Sequence, residues 1–182
     1  RTPVSGKTIQ VAAGGDFQAA LNEASPGDEI VLQAGATYTG NFVLPAKGGS
    51  GEWITIRTSD MAGLPKETVR VGPQHAHSMP KIIDPQGKGA ISTDLRAGYY
   101  RLIGLEITVL PSVKTVSALV NLGNGGSDQN TLAVAAHHLI LDRVYIHGDP
   151  KQNCFRCVAL NSAHTAVIDS YLGNAHVQGF DS

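Results

Sequence analysis

Four side chains that can handle protons or anions fall between positions 143 and 156: Arg143, His147, Lys151 and Arg156. A guanidinium fork grips a carboxylate bidentately, an ammonium neutralises it as a point charge, and an imidazole exchanges protons near neutral pH. His147, Lys151 and Arg156 are therefore the candidate catalytic set, a base with a carboxylate clamp. A solvated charged loop would use the same residue types. Just before them stands Asp142, and Asp169 follows 27 positions later (169 − 142) in similar surroundings, "LDR" against "IDS". Stacked on adjacent turns of a repeat, the two carboxylates could share a Ca²⁺, a hard cation that takes oxygen ligands. The plainer expectation for acids at such a position is to finish a turn or line a wet face.

The pair Cys154 and Cys157 in "CFRC" has the spacing of a redox dithiol, of half a zinc site, or of a local bridge. The residues that follow, "VALN", alternate as a strand does, so a helix-borne redox site is disfavoured and inert thiols or a structural bridge are expected. His75 and His77 in "QHAHSMP" sit among Gly, Gln and Pro and read as loop. His137 and His138 would face opposite ways in an extended strand, so no more than one reaches a common site. His164 and His176 have no partner visible in the sequence.

Those residues need a scaffold, and the composition limits which one. The chain has 182 residues, 42% of them hydrophobic and 16% charged, enough apolar material for one buried core. Twenty-one glycines and little aromatic content suit short strands joined by turns better than a helical bundle. A net charge of −1 leaves no basic footprint for nucleic acid. No apolar run approaches the ~18 residues of a membrane span.

One stretch reads as helix. In "DFQAALNEA", Phe17, Ala20, Leu21 and Ala24 make one apolar stripe, with Asp16 as N-cap and "SPGD" as the stop. Strand-like runs follow: "EIVLQ", "NFVLPA", "EWITIRTS", "PKIIDPQ", "YYRLIGLEIT", "LAVAAHHLILDRVYIHGD" and "CVALNSAHTAVIDSYLGN". Ile30, Ile54 and Ile82 stand 24 and 28 positions apart (54 − 30, 82 − 54), close to the step from Asp142 to Asp169. A period of that size without a helix in each unit predicts a solenoid of stacked β-coils. Met61 to Ser78 and Lys114 to Thr131 read as inserted loops.

With these runs on the page, "CVALNSAHTAVIDSYLGN" resembles the coil repeat of right-handed parallel β-helix proteins. "DFQAALNEASPGDEIVLQAGATYTG" resembles the amino-terminal cap and first coil of the pectate-lyase-like superfamily. The resemblance implies an all-β fold, a right-handed parallel β-helix, with a capping α-helix over 16–25 and coils over 28–182 in a single domain. That domain is expected to be incomplete at its carboxyl end, where no second cap is visible. It also implies activity on acidic polysaccharide, by β-elimination or hydrolysis, and export to where such polymers lie, whether secreted, periplasmic or on the cell surface. Elimination needs a cation beside the uronate carboxylate and a base for the C5 proton, the roles offered to Arg156, Lys151 and His147. The paired-Asp, Gly-His-Gly and Arg-Ile-Lys motifs of polygalacturonases are absent from this sequence. The alternative is a noncatalytic solenoid, a scaffold or surface module, self-associating end to end through an uncapped last coil. Nucleic acid and membrane partners are not expected.

Overall fold

The computed structural model describes residues 4–48 and 51–177. The chain opens with β1 (Thr8–Val11) and α1 (Phe17–Glu23), then makes a first full turn through β2 (Glu29–Leu32), β3 (Thr37–Thr39) and β4 (Phe42–Leu44). The second turn holds β5 (Ile54–Thr58), β6 (Lys81–Asp84) and β7 (Ile91–Thr93). The third holds β8 (Gly98–Ile103), β9 (Glu106–Val109), β10 (Thr115–Val116) and β11 (Val120–Gly123). The fourth holds β12 (His137–Asp142), β13 (Tyr145–His147), β14 (Asn153–Cys154) and β15 (Val158–Asn161), and the last β16 (Ala163–Ile168) and β17 (Tyr171–Gly173).

Each strand pairs with its counterpart one turn on. The first sheet runs β1-β2-β5-β8-β12-β16, the second β3-β6-β9-β13-β17 and the third β4-β7-β11-β15. Every strand pair in these sheets is parallel. Inward positions therefore stack in columns. Ile30, Ile56, Leu102, Leu141 and Val167 form one. Tyr38, Ile82, Ile107, Ile146 and Leu172 form another. These columns, closed by a third from Phe42, Ile91, Val120 and Val158, make one continuous apolar core up to the last turn, where Leu172 is exposed.

The columns correct the register read from the sequence. Ile30 meets Ile56 rather than Ile54, and Ile82 belongs to the second sheet, opposite Tyr38. The long excursion between β5 and β6 and the different turn lengths make the true step uneven, so a single period misaligns the coils. The segment Lys114 to Thr131, expected as loop, contributes β10 and β11, and Val120 and Leu122 of β11 are core residues.

The amino-terminal helix behaves as its stripe dictates. The Asp16 carboxylate accepts the Ala19 N–H at 2.9 Å, and Phe17, Ala20 and Leu21 are buried. Phe17 lies 4.8 Å, centroid to centroid, from Phe42 and 6.1 Å from Tyr38, both in the first turn. Burying Phe17 and Leu21 is worth about 1.5–3 kcal/mol each. β1, which precedes the helix and has no counterpart among the expected strands, adds an edge strand to the first sheet.

Residues 59–80 leave the coil and lie across its outside as a strap, ending in a 3₁₀ turn at Pro73–Ser78. Leu64, Val71 and Met79 of the strap pack with Ile103 into a second apolar cluster, with Met61 and Tyr145 at its margin. Its far end reaches the last turn, where the Thr68 N–H donates to the Asp169 carboxylate at 2.7 Å and the Val71 N–H to the Asp169 carbonyl at 2.9 Å.

Candidate functional site

On the outer face of the second sheet, register places Thr37, Lys81, Glu106, Tyr145 and Tyr171 in one row across the turns. Adjacent members are one strand apart, ~4.8 Å. His147 lies two residues beyond Tyr145 on the same face. The Glu106 carboxylate, nearly buried, accepts from the Lys81 ammonium at 3.0 Å and faces His147 Nε2 at 3.0 Å. Burial alone would raise the Glu106 carboxyl, but the hydrogen bonds and charges of His147 and Lys81 outweigh it and hold it below the usual range. The His147 Nδ1 faces the Gly148 carbonyl at 2.9 Å, so both ring nitrogens are held against oxygen atoms.

Tyr145 completes the site. Its ring stacks on His147 at 4.3 Å and 20° and meets Tyr171 edge-on at 5.6 Å. Its phenol is raised by burial first and then by the charge of Glu106, so it is a proton donor at neutral pH. A groove of about 320 Å³ runs on from Lys81 and Glu106 past Thr37 and His77 to Met79 of the strap. The ensemble is one carboxylate between an ammonium and an imidazole beside two tyrosines, an arrangement that can receive an anionic sugar and exchange protons with it.

Of the residues expected from sequence, His147 is in this row. Lys151 and Arg156 are exposed on the connections between β13 and β15. Among the described residues only their backbones are anchored: the Lys151 N–H is held by the Asp149 carboxylate, and the Arg156 carbonyl accepts from the Leu119 N–H. Lys81, Glu106, Tyr145 and Tyr171 are not among the residues the sequence reading selects. Aligning the short triplets "KII", "EIT", "YIH" and "YLG" after each turn would find them, since each begins at the same row position.

The Asp142–Asp169 stack is corrected. Register sets Ile168, not Asp169, opposite Asp142. Asp169 is instead the corner residue after β16, at φ 48°, equivalent to Arg143 (48°) and Gly104 (64°) after β12 and β8. Asp, like Gly, tolerates that left-handed conformation, which is why the "LDR" and "IDS" patterns slip by one. Asp142 is 1% exposed, with one oxygen taken by Arg101 Nη2 at 2.5 Å and the other by Arg143 Nε at 2.9 Å. Two guanidinium ions in place of further oxygens do not make a Ca²⁺ donor set. Among the described residues no group of three or more His, Cys, Asp or Glu side chains is placed to hold a metal.

The histidines also depart from expectation. Tyr99, His138 and His164 occupy equivalent bulges at the starts of β8, β12 and β16, with φ of 60°, 50° and 53°. The bulge turns His138 toward His137, bringing the two Nδ1 atoms within 2.9 Å, where a plain strand would have separated them. Tyr99 stacks on His138 at 4.6 Å, His138 lies tilted by 36° against His164 at 4.8 Å, and Trp53 is edge-on to Tyr99 at 5.7 Å. Burial, then the charges of His137 and His164, lower the His138 imidazole. His176 Nε2 meets the Pro150 carbonyl at 3.1 Å. The rings contact one another from turn to turn, so this ladder ties successive turns together.

Cys154 and Cys157 are free, buried thiols. Burial raises both, Cys154 to about 11, and each lies against backbone carbonyls. They match the inert-thiol expectation.

No family model and no curated protein matches the chain. Among solved structures it is similar to an alginate lyase from Paenibacillus sp. str. FPU-7, at 18% identity and a TM-score of 0.54, covering 91% of this chain and 57% of that one. It is also similar to a mutant of the PL6 family alginate lyase AlyGC, at 17% identity and a TM-score of 0.58, covering 94% of this chain and 20% of that one. The chain thus spans little more than half the length of the first and a fifth of the second, and what it shares with them is an all-parallel β fold with few helices.

Proposed function

We propose that the protein is carbohydrate-active, a polysaccharide lyase that binds acidic polysaccharide and cleaves it by β-elimination, built on a right-handed parallel β-helix. Parallel crossover connections are right-handed in about 98% of cases, which supports the hand. The observation that carries the functional reading is the row on the second sheet: Lys81, Glu106 and His147 in one network, beside Tyr145 and Tyr171. Both solved neighbours are called alginate lyases, which supports a polyuronate as the polymer.

In this reading Lys81 neutralises the uronate carboxylate, which makes the C5 proton removable, and His147 accepts that proton as base. Glu106 holds Lys81 and His147 side by side. Tyr145, protonated, donates to the departing glycosidic oxygen. Lys151 and Arg156 extend the positive rim along the polymer, and the tyrosine rings give its sugars an apolar contact. Export belongs to the same reading, because such polymers lie outside the cell. No helix among the described residues is long and apolar enough to cross a membrane.

The test is ultraviolet absorbance of unsaturated uronides on alginate, pectate and chondroitin, paired with calorimetric binding to each. Binding of one polyuronate, weakened about tenfold by His147→Ala or Lys81→Ala, is expected, that being the scale of one charge-assisted contact. Absence of both binding and absorbance with every polymer would overturn the reading.

A further inference from the structure

At the corner between the second and third sheets, Lys88, Lys114, Lys151 and Arg156 are all exposed, one from the second turn, one from the third and two from the fourth. Backbone contacts fix where they stand. The Asn153 N–H donates to the Lys114 carbonyl at 2.9 Å and the Leu119 N–H to the Arg156 carbonyl at 3.2 Å, which sets the fourth turn directly on the third. The Asn121 side-chain amide donates to the Lys88 carbonyl at 3.3 Å, which sets the third on the second. β10 and β14, which begin within two residues of Lys114 and Lys151, pair in parallel at this corner. We propose that the corner is an anchoring strip for acidic polysaccharide, an interaction surface separate from the tyrosine row. The choice of polymer rests on the lyase reading, the strip on charge and placement.

Charge points that way first. Among the described residues none of the four is in an ion pair, whereas Arg57, Lys81, Arg101 and Arg143 all are. Two acids share the corner. Asp84 is buried, its oxygens taken by the N–H groups of Gln86, Gly87 and Gly89 and by the Asn41 amide. Asp149 holds the Lys151 N–H at 2.8 Å. Four cations against two carboxylates leave an excess of two positive charges, on a chain whose formal net charge is −1. The excess is local, so a polyanion is drawn to this corner in preference to the rest of the surface.

Chemistry and reach choose the polyanion. Three of the four cations are ammonium groups on flexible stems, point charges that suit a supple chain of carboxylates. Phe155, 52% exposed between Lys151 and Arg156, offers a ring face to a sugar. The strip also adjoins the row. From His147 to Lys151 is four residues (151 − 147), a span of at most about 14 Å. A chain of a few sugar units leaving the row at His147 therefore reaches the strip, and a very short one does not.

The experiment is calorimetric titration with alginate, as a trisaccharide and as long chains, of the parent and of a variant carrying Lys88→Gln, Lys114→Gln, Lys151→Gln and Arg156→Gln together. All four positions are exposed, so the variant should melt close to the parent. Counted per sugar unit, long chains should bind the parent about tenfold more tightly than the trisaccharide, since each exposed ion pair is worth a factor of about two. The variant should lose that gain, and so should the parent at high salt, where exposed charges are screened. Lys81→Ala, which alters the row, should keep it. No gain with chain length, a gain the variant retains, or a single-stranded DNA oligomer bound as tightly as long alginate would overturn the proposal. The lyase reading is scored separately, by absorbance: a gain erased by the variant with no cleavage leaves the strip standing without the chemistry, and cleavage with no such gain does the reverse.

Discussion

Replacing Asp142 with Asn tests how dry the arginine cluster is. The carboxylate is 1% exposed and bonded on both oxygens, and its partners Arg101 and Arg143 are almost as buried. Arg143 also donates to the Pro65 carbonyl of the strap, at 3.1 Å, so it cannot turn to solvent without releasing that segment. Asn offers one neutral oxygen and an amide that opposes the second guanidinium. Breaking a buried pair by removing one partner costs about 3–5 kcal/mol, chiefly because the remaining charge stays buried. For a chain of this size each kcal/mol moves the melting temperature by about 2–4 °C, so Asp142→Asn should melt roughly 6–20 °C below the parent.

Calorimetry gives the shift, and urea titration followed by the fluorescence of Trp53 gives the free energy. Arg101→Met made on top of Asp142→Asn should cost less than in the parent, because the guanidinium it removes has already lost its anion. A loss below ~1 kcal/mol for Asp142→Asn is the size of a solvated surface pair, and it would refute the buried cluster.

Other outcomes follow from single features. Glu106 titrates below the ordinary carboxylate range in the folded chain, so its stabilisation is complete above about pH 4.3 and is lost as pH falls through the folded value; melting temperatures between pH 6 and 3 should fall less steeply for Glu106→Gln than for the parent. Phe17→Ala empties the contact between helix and first turn and should cost about 3–5 kcal/mol by urea titration, against under ~0.5 for the exposed Gln10→Ala. Native Cys154 and Cys157 should resist thiol-reactive dye at pH 8 and react only in urea, and a reductant should leave the melting temperature unchanged. Millimolar Ca²⁺ should not raise that temperature through Asp142, whose oxygens are committed to arginine; a rise abolished by Asp142→Asn would contradict this.

How much of this is legible beforehand depends on where the information resides. Asp16 and the Phe17 stripe announce a helix because capping and burial act within a few residues. The apolar triplets announce strands for the same reason, and the absence of further helices leaves few alternatives to stacking. Register is different, since it depends on which corner residues adopt left-handed backbone, and the code for that is loose: Gly104, Arg143 and Asp169 fill one structural position with three unrelated side chains. A one-residue slip in that alignment turns a corner aspartate into an apparent metal ligand. The same slip hides the row of Lys81, Glu106, Tyr145 and Tyr171, which are distant in sequence and meet only when every turn is closed in the right register. His147 stands out because proton chemistry marks it locally, whereas Glu106 does not, because "GLEIT" reads as a strand with one wet residue. Its significance comes from Lys81 one turn below and His147 one turn above, each brought there by insertions and corners of unequal length. In a stacked coil, then, the elements are local properties of the chain while the site is a property of the register, and the register is fixed by the residues least constrained in type.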